Sequence, residues 1–154
     1  MAIAESELHL RLPDIATSPP RSGLQLVGVP IWFWSVGATP VSTTAAIPGL
    51  SATLTATPVD TRIRIGGGTG RARVDNVTLD CPDGGRPWQR GRDGAWANSG
   101  CSHAFAWNET FTVTATITWE LAWTATNGQA GTLPDVARTT SFTLDLDQAQ
   151  AVTD

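Results

Sequence analysis

Phe111-Thr112-Val113-Thr114-Ala115-Thr116-Ile117-Thr118-Trp119-Glu120-Leu121-Ala122-Trp123 alternates apolar and polar residues without a break. Every odd position is apolar. The even positions are Thr or Glu, with Ala122 neutral. A period of two places successive side chains on opposite faces of a strand, so this run is a β-strand with one buried face and one wet face. A solvated face belongs to an antiparallel sheet, since parallel sheets are covered on both sides. At about 3.3 Å per residue the strand exceeds roughly 40 Å, which predicts a bulge or bend along it.

The same pattern recurs on both sides of this strand. Asn127-Gly128 through Gly131 reads as a turn, and Ser141–Asp147 alternates again with Phe142, Leu144 and Leu146 inward. Upstream, Leu50–Thr57 places Leu50, Ala52, Leu54 and Ala56 on one face, and Pro58 is expected to end it. Arg62–Ile65 is a second short strand, broken at Gly66-Gly67-Gly68. Val74, Val77 and Leu79 mark a weaker one over residues 74–81. Gly23–Trp34 is rich in large apolar residues but interrupted by Pro30, which suits an edge strand or one that changes sheets.

Ahead of it, residues 1–22 read as an N-terminal arm or linker. Glu5–Leu12 is either a helix end or an extended arm, and Pro13, Pro19 and Pro20 stop any helix. Residues 149–154 read as a frayed tail. Six to eight short strands separated by turns predict an all-β, immunoglobulin-like antiparallel sandwich over residues 23–148, with residues 82–103 as a loop insertion.

Composition narrows the function classes. A chain of 154 residues with 41% hydrophobic residues supports one domain with a real core. The net charge of −4 offers no basic field for nucleic acid, and no run of about 18 apolar residues exists to insert in a membrane. All ten basic residues are Arg, which removes Schiff-base chemistry and any phosphate-loop lysine. The start at Met1 shows no signal-peptide pattern, so the signal segment of an exported protein is expected ahead of it.

Cys81 and Cys101 lie in Gly-, Asp- and Ser-rich surroundings that look like loops or strand ends rather than core. Exposed free thiols are a liability, so a disulfide is favoured, and with it an oxidising, extracytoplasmic compartment. Closing about 20 residues contributes roughly 3 kcal/mol in the chain-entropy model.

Leu50–Pro58, then Ile63–Thr69, then Cys101-Ser102-His103-Ala104-Phe105, then Phe111–Ile117 resembles the PKD (polycystic kidney disease) domain in order and spacing over residues 45–147, once a long insertion before Cys101 is allowed. The whole chain is similar to secreted actinobacterial proteins with a PKD-like core. The likeness lies in Leu26–Trp34, the cysteine pair ending in Cys101-Ser102-His103, Ile117–Thr124, and Gly131-Thr132-Leu133-Pro134. The resemblance implies a secreted or cell-surface spacer or adhesion module. The turn aspartates typical of PKD domains are missing at Gly66-Gly67-Gly68, and Ile63 or Ile65 replaces the usual strand tryptophan, so the role of those residues does not carry over.

No constellation builds a convincing active site. Gly66–Gly70 lacks the Lys and the following helix of a phosphate loop and reads as a turn. Cys81, Cys101 and His103 fall short of a four-ligand metal set, so neither a metal nor another cofactor is expected. The only histidines are His9 and His103, and nothing resembles a nucleophile elbow. Asp80, Asp83, Asp93, Glu109 and Glu120 offer conceivable carboxylate pairs, but Asp-Gly carboxylates read as turn residues. The sequons at Asn76 and Asn108 read as coincidence.

Of seven tryptophans, Trp32 or Trp34, with Trp119 and Trp123, belong to strands and are expected in the core. Trp88, Trp96 and Trp107 fall in loops. With Arg86, Arg90 and Arg92 they form a candidate binding surface or, equally, a lid folded over the sheet. The expectation is a non-catalytic structural, adhesion or protein-interaction module with a protein partner at the cell surface. A carbohydrate-binding module using the loop tryptophans is the alternative.

Overall fold

The computed structural model describes residues 10–66 and 76–148. The alternating segment forms β8 (Thr110–Ala125), the central strand of the larger sheet. On one side it pairs with β9 (Ala130–Asp147), on the other with β5 (Leu50–Gly66), both antiparallel. β5 carries β4 (Val41–Ile47) along its first half and β6 (Val77–Asp80) along its second. β2 (Gln25–Leu26) adds to β9 in parallel. A smaller antiparallel sheet has the order β1-β3-β7, built from Ile15–Ser18, Ile31–Ser35 and Ser102–His103. The described residues contain no α-helix. The chain is an all-β, immunoglobulin-like sandwich.

The two sheets enclose a core of Ile15, Ile31, Phe33, Ile63, Ile65, Phe105, Phe111, Val113, Ala115, Leu144 and Leu146, each at most 4% exposed. Each large side chain so buried contributes about 1.5–3 kcal/mol of transfer free energy. Beyond the small sheet, β4, the first half of β5, the second half of β8 and the first half of β9 continue as a four-stranded extension. It has its own cluster of Leu54, Ala56, Ile117, Trp119 and Leu121.

The predicted bend lies where the two halves meet. The β5–β8 register shifts by one between Pro58 and Asp60, so Val59 is an extra residue. The β8–β9 register shifts between Trp119 and Leu121, where β9 runs from Val136 to Leu133. Both bulges flank Trp119, and each contains a proline, Pro58 or Pro134. A bulge tolerates proline because the ladder is already interrupted there, and it increases the local twist.

This corrects the expected end of a strand at Pro58: residues 50–66 form one strand that passes through it. Gly23–Trp34 changes sheets at Pro30, one of its two expected readings: β2 joins the larger sheet, and β3 is the central strand of the small sheet rather than an edge. Ile15–Ser18, inside the segment read as an arm, pairs with β3 and buries Ile15. Both cysteines sit at strand ends, as one expected reading had them, but they are part of the core, Cys81 at 5% and Cys101 at 1% exposure. The expected turn at Gly67-Gly68, the position of Val74, the possible helix end over Glu5–His9 and the tail from 149 lie outside the described residues.

Candidate binding surface

The Cys81–Cys101 disulfide joins the two sheets, with Cα atoms 4.9 Å apart. Cys81 follows β6 and donates its N–H to the Thr61 carbonyl of β5, while the Cys101 carbonyl accepts from the Phe33 N–H of β3. The segment between them therefore leaves one sheet and returns to the other, crossing the outer face of the small sheet as it does so.

The crossing begins at a 3₁₀ turn, Pro82–Gly84, in which Asp83, Gly84 and then Gly85 all take positive φ. At Gly85 a Cβ would stand 2.5 Å from the Phe33 carbonyl oxygen and 3.1 Å from the Trp34 Cα. Only glycine allows the loop backbone to press so closely onto β3.

Trp32 faces this loop, away from the inter-sheet core, yet is 1% exposed. Its indole Nε1 donates to the Ala97 carbonyl at 2.8 Å, and the Arg86 guanidinium lies 4.5 Å from its ring centroid. Asp93 ties the loop together. It accepts from the Gln89 N–H at 2.8 Å, from Arg92 Nη2 at 2.9 Å and from Arg86 Nη1 at 3.2 Å. The hydrogen bond from Arg92, then that from the Gln89 N–H, then Arg86 lower the Asp93 carboxyl to a pKa of about 2, against the opposing effect of burial. Arg92 also donates to the Pro87 carbonyl at 2.7 Å, and the Trp88 Nε1 donates to the Gly94 carbonyl at 3.3 Å.

The structure thus divides the candidate residues. Arg86 and Arg92 hold the loop together. Arg90 is exposed and makes no ion pair or hydrogen bond among the described residues. Trp88 is half-buried and walls a cleft of about 220 Å³ with Ser18, Pro19, Val29, Pro30 and Ala95. Trp96 stands out at 70% exposure. Trp107 packs against the main core and lines a different hollow, with Val27, Asn108 and Gln148.

His103 lies in β7 with its ring edge-on to Phe105 at 4.7 Å. The two sulfurs are bonded to each other and so are not free as metal ligands. Among the described residues no group of three His, Cys, Asp or Glu side chains is arranged to hold a metal ion. Reading Asp93-Gly94 as a plain turn missed the residue that organises the loop. The available signal was one carboxylate among Arg86, Arg90 and Arg92. Nothing in the alternation of β3 distinguishes a tryptophan covered by a loop from one facing the other sheet.

No helix among the described residues is long and apolar enough to cross a membrane. Comparison of the chain with protein-family models, with curated proteins and with solved structures gives no match.

Proposed function

We propose that this chain is a non-catalytic interaction module of an exported protein, PKD-like in character, which presents its disulfide-anchored loop to a protein partner at the cell surface. The observation that carries the reading is Trp96. Its ring is 70% exposed on a loop whose neighbouring residues are fixed by the disulfide, by Asp93 and by the Trp32–Ala97 hydrogen bond. Tryptophan is the side chain most enriched among residues that dominate binding energy. Holding it on a pre-ordered loop reduces the entropy lost on association. The buried disulfide supports an oxidising compartment, as in secretion or surface display.

The test is proximity crosslinking of the full chain on intact producing cells, with wild type compared with Trp96→Ala. The reading expects one dominant crosslinked protein that the variant loses while its fold is unchanged. An identical crosslinking pattern from the two proteins overturns it.

A second reading, binding of a polysaccharide, is favoured by the cleft beside Trp88 with Arg90 and Trp96 on the same loop. An aromatic face with adjacent polar groups suits a sugar ring. A tryptophan-fluorescence titration with soluble polysaccharides distinguishes the two: a saturable shift lost in Trp88→Ala supports the glycan, and no shift with any of them removes it.

A further inference from the structure

The strands at the far end of the four-stranded extension contribute no charged side chain among the described residues. Residues 36–59 and 121–134, which supply β4 and the adjoining parts of β5, β8 and β9, contain no Asp, Glu, Lys, Arg or His. At the chain's overall charged fraction of 16%, a surface of that size would hold about six. Loss of charge is the compositional mark of the centre of an interface, more than bulk hydrophobicity is.

The same region contains a sheet edge with which no other described strand pairs. β4 pairs only with β5, and no described strand lies on its other side. An open edge offers unpaired N–H and C=O groups to another chain, and proteins usually blunt it with brevity, proline or charge. The other edge strands here follow that rule. β1 has four residues and runs into Pro19, β2 and β7 have two each, and β6 has four and ends at Asp80, while β9, which β2 covers only at Leu146 and Asp147, carries Pro134, Asp135 and Arg138 along its open length. β4 has seven, Val41-Ser-Thr-Thr-Ala-Ala-Ile47; Pro40 and Pro48 bound it, but neither proline nor charge lies within it, which leaves a longer uncharged edge than any of these. Its last residue, Ile47, is 64% exposed.

From these observations we infer that β4 is a self-association edge, which pairs antiparallel with β4 of a second copy of this chain about a two-fold axis at Thr44. The second copy is the occupant because of charge. Two chains of net charge −4 repel, and this end is where they approach without bringing like charges together. The strand is also self-complementary. With Thr44 opposite its own symmetry mate, Val41 and Ile47 of opposite copies meet on one face, and Ser42 and Ala46 meet on the other. The two large sheets become one continuous sheet, and the exposed Ile47 gains an apolar neighbour. A seven-residue ladder is smaller than a standard stable interface, so the dimer forms in a concentration-dependent way. This inference is independent of the loop and its partner.

Sedimentation velocity on the full chain, over a dilution series up to sub-millimolar protein, tests it. Wild type shifts from monomer to dimer with concentration. Thr44→Lys sets two ammonium groups face to face on the exposed side of the strand and weakens dimerisation at least about tenfold, with near-UV circular dichroism unchanged. Thr44→Cys gives a covalent dimer on mild oxidation, whereas Thr139→Cys, on the same face but away from this end, does not. A wild-type chain that stays monomeric throughout overturns the inference. So does a dimer that neither weakens with Thr44→Lys nor crosslinks through Thr44→Cys.

Discussion

The Arg86 guanidinium lies 4.5 Å above the Trp32 ring, so a residue of the disulfide loop covers the outer face of the small sheet's central strand. The loop and the sheet are therefore one packed unit, although the loop holds almost no regular secondary structure. Trp32→Ala removes the surface on which the loop rests. We expect it to cost about 3–5 kcal/mol in denaturant unfolding, the range for a buried aromatic truncated in a core. Trypsin, which meets only arginines in this chain and is blocked at Arg86 by Pro87, should then cut first after Arg90 or Arg92 under conditions that leave wild type intact.

The disulfide stabilises through the 20-residue separation it closes and through the buried volume of its sulfurs. Replacing both cysteines by Ala should cost about 3 kcal/mol from chain entropy, within the 2–5 kcal/mol typical of small secreted domains. Urea unfolding with and without a reducing agent checks this. Wild type with reductant should approach the double variant, and the double variant should not respond to reductant.

Asp93 gives the loop its own acid sensitivity. Its folded pKa of about 2 lies below the ordinary value of 3.8. A lowered folded pKa means the carboxylate contributes stability above the unfolded pKa, and the contribution is lost as pH falls through the folded one. The window is therefore roughly pH 4 down to 2. Tryptophan emission should change over that range as the loop loosens around Trp88 and Trp96. In Asp93→Asn the same change should already be present at neutral pH and should vary little on acidification.

Much of the architecture is legible in the residue pattern because one face of each long strand is wet. β8 and the end of β9 show that contrast directly. β4 does not, since Ser, Thr and Ala give little difference between faces, and the strand goes unpredicted despite seven paired residues. Pro58 misleads for a different reason. Proline is read as a strand end because it lacks a donor, but at a bulge the donor is not required. The loop is the least legible part. Its order comes from one carboxylate bridging residues close in sequence, and no periodicity reports that.

Trp32 and Trp119 look equivalent in the sequence, each on an apolar strand, but their indole N–H groups have opposite fates. The Trp32 N–H donates to the Ala97 carbonyl, whereas the Trp119 N–H is buried and meets no acceptor among the described residues. A buried donor left unpaired costs about 1–3 kcal/mol, while a satisfied one contributes about 1 kcal/mol. Phenylalanine removes the donor at either position for a similar loss of ring area. At Trp32 it also strands the Ala97 carbonyl and weakens the cation–π contact with Arg86, so Trp32→Phe should destabilise by about 2 kcal/mol. At Trp119 the relief of the unpaired N–H offsets the lost area, so Trp119→Phe should fall within about 1 kcal/mol of wild type. Chemical denaturation of the two single variants decides it. Equal losses at both sites would show that the Trp119 indole finds a partner after all, and that the waist between the two bulges is more polar than its lining implies.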